Sequence, residues 1–204
     1  VQNEWYRAVE KAQEECLRKG ITSFQDAGSS FEEIDRYLNL AKADSLDVRL
    51  WVMVNEPYGK MSGKLRGFPI VEEEHHLFTC RAIKAYLDGA LGSFGAWLLR
   101  PYRDKPGFTG QNVTPIKDIQ KIADLAMAND MQLCVHAIGD RANRELLDVY
   151  ENTFEKNSGK ENVRWRVEHA QHLDTADIPR FREMAVIASM QGIHCTSDAP
   201  FVVK

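Results

Sequence analysis

The sequence predicts an α/β fold and, within that class, a (β/α)8 barrel of which six strands are present. Three observations point there. Six short apolar, β-branched stretches alternate with stretches of helical periodicity, the pattern of parallel β/α units. Nothing matches GxGxxG or a phosphate loop, which an open doubly wound sheet would carry after its first strand. The polar residues fall instead at the C-terminal ends of several strands, where a barrel keeps its chemistry.

The elements follow in order. From Glu4 to about Lys19, Trp5, Ala8, Val9, Ala12, Cys16 and Leu17 recur at spacings of three and four and describe one helical face. Gly20 after Arg18-Lys19 stops that helix. Ile21–Gly28 is the first strand, and Ser30 caps a second helix that presents Phe31, Ile34, Tyr37, Leu38 and Ala41. Val48–Val54 is the second strand. Residues Asn55–Glu74 carry Gly and Pro and read as a long loop or a small excursion. Ala82–Leu87 is a strand, followed by a loop bearing Gly89, Gly92 and Gly95 and a polar stretch to Gly110. Pro115–Ala128 is a helix with Ile116, Ile119, Ile122, Ala123 and Ala126 inward. Then come the strand Gln132–Ala137, the helix Asn143–Phe154, the strand Val163–Ala170, the helix Thr175–Met184 and the strand Val186–Met190. Residues 1–204 form a single partial domain on this reading. A start at Val1-Gln2-Asn3 without Met, and an end at Pro200-Phe201-Val202-Val203-Lys204 without a closing helix, lead us to expect a piece of a longer protein.

Composition narrows the function classes. Hydrophobic residues make up 44% and charged residues 27%, which excludes a disordered tail or a fibre. A net charge of −4 argues against a nucleic-acid or anionic-membrane binder, which would need a basic field. No run approaches the roughly 18 apolar residues of a membrane span. Cys16, Cys80, Cys134 and Cys195 lie far apart without a CxxC pair, so we expect reduced thiols and a cytoplasmic location.

At the strand ends, Asp26 closes the first strand and His136 closes Leu133-Cys134-Val135-His136. His169 closes Val167-Glu168-His169, and Gln191 and His194 follow Ala188-Ser189-Met190. Side chains alternate across a strand, so Ile83, Ala85 and Leu87 pack outward while Lys84, Tyr86 and Asp88 line the interior. His136 shares its face with Gln132 and Cys134. One Lys and two His, on three consecutive strands, can therefore converge. A lysine inside a strand needs a reason, because a buried ammonium must be paired or neutralised. One reason is a Schiff base. Another is carbamylation by carbon dioxide, which makes the amine an oxygen ligand able to bridge two metals. Imidazoles suit Zn, Fe and Ni, and open coordination positions would activate water. Other residues read as bland. His75-His76 after Glu72-Glu73-Glu74 are solvated surface, His172 opens a loop, and Met127, Met131, Met184 and Met190 fill the core. Asp140-Arg141 pair locally and cap the next helix.

Four blocks together resemble the amidohydrolase superfamily: Lys84-Ala85-Tyr86-Leu87-Asp88-Gly89-Ala90-Leu91-Gly92-Ser93, Val135-His136-Ala137-Ile138-Gly139-Asp140-Arg141-Ala142-Asn143, Val167-Glu168-His169-Ala170-Gln171 and Ala188-Ser189-Met190-Gln191. They are most similar to its branch of uncharacterised metal-dependent hydrolases that includes N-substituted formamide deformylases. The likeness runs from Gly20 to Pro200. It implies a distorted (β/α)8 barrel flanked by a small β-sandwich, and hydrolysis of amide-like C–N bonds other than peptide bonds. It also implies Lys84, His136 and His169 as the catalytic metal ligands, with Lys84 carboxylated on the fourth strand and the two histidines on the fifth and sixth. The cofactors implied are one or two divalent ions, zinc foremost, and the carbon dioxide-derived carbamate. Asp88, Arg141 and His194 are candidates to touch a small amide-like substrate. The family's first-strand HxH occurs nowhere in this sequence. Asp198 resembles its eighth-strand Asp but comes only eight residues after Met190, too close for an intervening helix, and is placed in the loop after strand seven. The chain thus carries about strands two to seven, and we expect it to be inactive alone and to self-associate through open sheet edges. Two other readings are a Schiff-base lyase using Lys84 and a barrel remnant that acts only as a binding module.

Overall fold

A computed structural model describes residues 2–160 and 162–202. The chain falls into two compact units, Val1–Ile83 and Lys84–Lys204.

The first unit opens with helix α1 (Gln2–Arg18), strand β1 (Ser23–Ser29), helix α2 (Phe31–Lys42) and strand β2 (Arg49–Val54). Helix α3 (Tyr58–Lys64), a single 3-10 turn and the two-residue strand β3 (Ile70–Val71) occupy the stretch read as a loop or excursion. Strand β4 (Phe78–Tyr86) follows and runs on into the second unit. β1, β2 and β4 pair in parallel, and β3 lies antiparallel on β4. Ser30 caps α2 as expected: its hydroxyl accepts the Glu33 N–H while the Glu33 carboxylate accepts the Ser30 N–H at 2.8 Å. Ser30→Ala should therefore cost about 1 kcal/mol in a urea unfolding measurement. Asp26 does not serve the sheet interior. Its carboxylate accepts the Tyr37 hydroxyl of α2 at 3.2 Å and the Gly28 N–H.

The second unit continues with helix α4 (Ile116–Ala128), strand β5 (Gln132–Ala137), helix α5 (Asp140–Lys156), strand β6 (Arg166–His169), helix α6 (Ile178–Glu183) and strand β7 (Ile187–Ser189). Here the strand order is β4-β5-β6-β7, parallel throughout, with Cys134 opposite Arg166 and His136 opposite Glu168. Two short helices, α7 (His194–Ser197) and α8 (Ala199–Val202), stand where the sequence suggested a loop without a closing helix. β4 starts four residues earlier than expected, because Phe78 and Cys80 are buried. α5 starts three residues earlier, because Ala142 and Asn143 in its polar-looking first turn are fully buried. Met127 and Met131 are core residues, but Met190 is 61% exposed, since β7 ends one residue before it. Among the described residues no helix is long and apolar enough to cross a membrane.

Candidate functional site

The lysine and histidines expected to act together lie in the second unit, at the C-terminal ends of β4, β5 and β6. Lys84 is buried at 6% exposure, and its Nζ donates to the Ala85 carbonyl at 3.1 Å and sits 3.5 Å from the Tyr86 ring centroid. Burial pushes its pKa down to about 8, against an opposing pull from the Glu168 carboxylate. The Tyr86 ring, itself exposed, reaches the His136 ring at 5.6 Å between centroids. The His136 and His169 rings meet edge to face at 4.6 Å.

That last contact is not what period-two alternation gives. His136 pairs in register with Glu168, so those two share a face and His169 should point away. His169 and Ala170 instead hold φ of 75° and 43°, in the left-handed region that costs non-glycine residues of order 1 kcal/mol or more each. The reversal swings the His169 ring back toward His136. Strain of this kind persists where the surroundings over-determine it, and it clusters at functional sites.

The protonation of His169 is set by its neighbour. Gln191 Nε2 donates to the Ser189 carbonyl, so Oε1 is the atom that faces His169 Nδ1, at 2.6 Å. An oxygen there requires a proton on Nδ1 and leaves the lone pair on Nε2, the arrangement a metal ligand needs. Burial lowers the His169 pKa, and the neighbouring His136 and Lys84 act in the same direction.

The three residues expected to be substrate-binding fare differently. Asp88 is spent inside the protein: its oxygens accept the N–H groups of Trp97, Ile138 and Gly139 at 2.8–2.9 Å. Arg141 does not form a side-chain pair with Asp140. Its guanidinium lies 4.4 Å from the Trp97 ring centroid and 3.5 Å from Glu145, while Asp140 accepts the Leu99 N–H and the Arg141 backbone N–H. Nor does Asp140 cap α5, whose N-cap is Gly139 without a side-chain bond. A side chain at Gly139 would run into the Trp97 carbonyl, so the loop before α4 can lie directly on this turn. His194 lines a cavity of about 410 Å3 with His169, Gln171, His172, Met190 and Asp198. Its Nδ1 is 3.0 Å from Asp198, which also accepts Gln171 Nε2 and the Ser197 hydroxyl. Asp198 lies after β7, as expected.

Several residues here carried no role in the sequence reading. Arg166 and Glu168 form a buried ion pair on β6, with Arg166 Nε 2.7 Å from Glu168 Oε1. The signal was available: two charges at i and i+2 on one strand face call for the same explanation as Lys84. Gln171 Oε1 and His172 Nε2 are buried without hydrogen-bond partners among the described residues, and burial lowers the His172 pKa. No sequence pattern exposes that. His75 and His76 are peripheral as expected, His75 lying 3.5 Å from Asp44.

Among the described residues no three His, Cys, Asp or Glu side chains already form a metal-holding cluster. The donors nevertheless suit one. The His136 and His169 rings stand together, and Lys84 offers a buried amine on the strand next to that of His136. That set fits a divalent ion once Lys84 supplies an oxygen.

The amidohydrolase family profile matches residues 2–203. The chain belongs to the amidohydrolase family. It is 31% identical, over 97% of its length, to Protein LONG AFTER FAR-RED 3 of Arabidopsis thaliana, and 35% identical, over 60% of its length, to putative amidohydrolase YtcJ of Bacillus subtilis strain 168. It spans 35% and 22% of those two proteins. Among solved structures it is similar to uncharacterised metal-dependent hydrolases of Pyrococcus horikoshii OT3 and Pyrococcus furiosus. The TM-scores are 0.79 and 0.80, at 25% identity over 96% of this amidohydrolase segment and 38% and 40% of those chains. The fold class expected from the sequence, α/β and part of a TIM-type barrel, is the one this chain adopts.

Proposed function

We propose that this amidohydrolase segment serves a metal-dependent hydrolysis of C–N bonds other than peptide bonds, in a small amide, formamide or cyclic amide. The observation that carries the reading is the meeting of the His136 and His169 rings at 4.6 Å, across a backbone reversal that non-glycine residues avoid. The likeness to metal-dependent hydrolases and the formamide-deformylase-like motif blocks support it.

A divalent ion, zinc foremost and one or two in the whole protein, would activate a water and polarise the substrate carbonyl when bound. His136 and His169 would hold it through one nitrogen each. The Lys84 amine would add to carbon dioxide: its lone pair forms the N–C bond, its proton passes to solvent, and the carbamate oxygens become ligands. Burial favours the neutral amine that this addition needs. Arg141, stacked on Trp97, and His194, on the cavity wall, would touch the substrate, whereas Asp88 would serve the protein interior.

Titration of the chain with Co2+ in bicarbonate buffer tests this. Visible absorption bands of a nitrogen- and oxygen-ligated ion are expected. They should vanish in His136→Ala and in His169→Ala and weaken in Lys84→Ala. A wild-type chain that binds no Co2+ would sink the reading. The chain alone should not turn over formanilide, because the HxH pair that the resemblance implies is not in this sequence. The Schiff-base alternative draws on the same buried amine and predicts borohydride trapping of a carbonyl substrate on Lys84, which the carbamate reading forbids.

A further inference from the structure

We propose that Asp88 is a positioning residue for His136, fixing its ring with the proton on Nε2 and the lone pair on Nδ1. The inference rests on the reading of His136 as a metal ligand.

Asp88 sits just beyond β4, with its side chain fully buried. Its Oδ1 accepts the Ile138 N–H at 2.9 Å. Its Oδ2 accepts the Gly139 N–H at 2.8 Å and the Trp97 N–H at 2.9 Å. Two of these donors are the second and third residues after His136, in the turn that ends β5. The carboxylate is therefore locked to the backbone that carries the histidine. The same turn is held from the other side, where Asn143 Nδ2 donates to the carbonyls of Ala137 and Gly139.

A rigid anion stands beside the ring. His136 Nε2 is 3.3 Å from Asp88 Oδ1, off the line of a hydrogen bond, and has no hydrogen-bond partner among the described residues. The two neutral tautomers differ in what faces that oxygen. With the proton on Nε2, a positively polarised hydrogen lies beside a carboxylate. With the proton on Nδ1, a lone pair does, and the repulsion acts where water is excluded and screening is weak. The first tautomer wins, and it leaves Nδ1 as the ligating nitrogen. A carboxylate behind a metal-binding histidine does this work in metalloproteins generally, and its loss lowers metal affinity.

The test is the 15N spectrum of the histidine side chains in the labelled, metal-free chain, read before and after addition of 113Cd2+. His136 is expected to show a protonated Nε2 and an unprotonated Nδ1, with Cd2+ perturbing Nδ1. An Nδ1-protonated ring, or an even mixture of tautomers, overturns the proposal. Asp88→Asn keeps the shape and one oxygen acceptor. Provided its circular dichroism matches wild type, it should shift His136 toward a tautomer mixture and weaken Cd2+ ten- to hundred-fold. An unchanged tautomer ratio in that folded variant also overturns it, and if the variant does not fold the wild-type spectrum decides alone. The two readings fail separately. An Nε2-protonated His136 in a chain that ignores Cd2+ removes the metal site and keeps the Asp88 role. Cd2+ binding with His136 protonated on Nδ1 does the reverse.

Discussion

Arg166→Met is expected to destabilise the metal-free chain by about 4 kcal/mol, read as a fall of about 10 °C in the thermal midpoint. Arg166 and Glu168 are both at least nine-tenths buried, and Arg166 meets Glu168 Oε1 through Nε and through a terminal nitrogen at 2.5 Å. Removing the guanidinium leaves a carboxylate in a low-dielectric interior, which costs far more than the pair itself contributes. Lys84 is the nearby cation able to compensate in part, since Glu168 and Arg166 act on its pKa with opposite signs. Arg166→Met should therefore raise the Lys84 pKa above its present value of about 8. The double variant Arg166→Met/Glu168→Leu should recover most of the lost stability, because the carboxylate that the single variant leaves without its guanidinium is then gone. A single variant as stable as wild type would show that the carboxylate is reached by water or already neutral.

The interior charges also show where sequence reading works. Lys84 was legible because a strand offers only two faces, and a lysine on the buried one is anomalous on any topology. Arg166 and Glu168 send the same signal on one face of a four-residue strand, which His169 closes. β5 matched to the residue, Gln132–Ala137, because Leu133, Cys134 and Val135 make an unbroken apolar run between polar ends. β4 did not, because the charged run Glu72–His76 hides a strand that begins only two residues later. The His136–His169 contact was expected for an incomplete reason. Alternation alone would have put the rings on opposite faces, and only the left-handed backbone at His169 and Ala170 brings them together. Asp88 reads as a substrate candidate because it opens a loop that follows a strand, where such barrels build their specificity. Its true partners are backbone N–H groups 50 and 51 residues away, which no local pattern encodes.

Lys84→Met should stabilise the metal-free chain at pH 7, although it destroys the site. The native Lys84 pKa of about 8 stands against an ordinary value of 10.5. Each unit of such a shift is worth about 1.4 kcal/mol, so holding the ammonium in the folded interior costs roughly 3 kcal/mol below pH 8. The hydrogen bond to the Ala85 carbonyl returns about 1 kcal/mol. A methionine of similar length removes both and should gain about 2 kcal/mol. The pH dependence identifies the cause. Below pH 8 the lysine is protonated in both states and the cost is present in full. Between pH 8 and 10.5 the unfolded chain binds the extra proton, so wild-type stability rises with pH relative to the variant. Above 10.5 both states are neutral and this difference disappears. Urea unfolding of the two proteins at pH 7 and pH 9.5 measures the gap directly, and it should narrow at the higher pH. A gap of constant size would mean that packing, not charge, separates them. Bicarbonate and a divalent ion should reverse the order, stabilising wild type alone, because only Lys84 can become the carbamate ligand. A residue that weakens the empty fold and strengthens the loaded one is kept for what it binds, and the same comparison weighs the hydrolase reading against a remnant that has lost its chemistry.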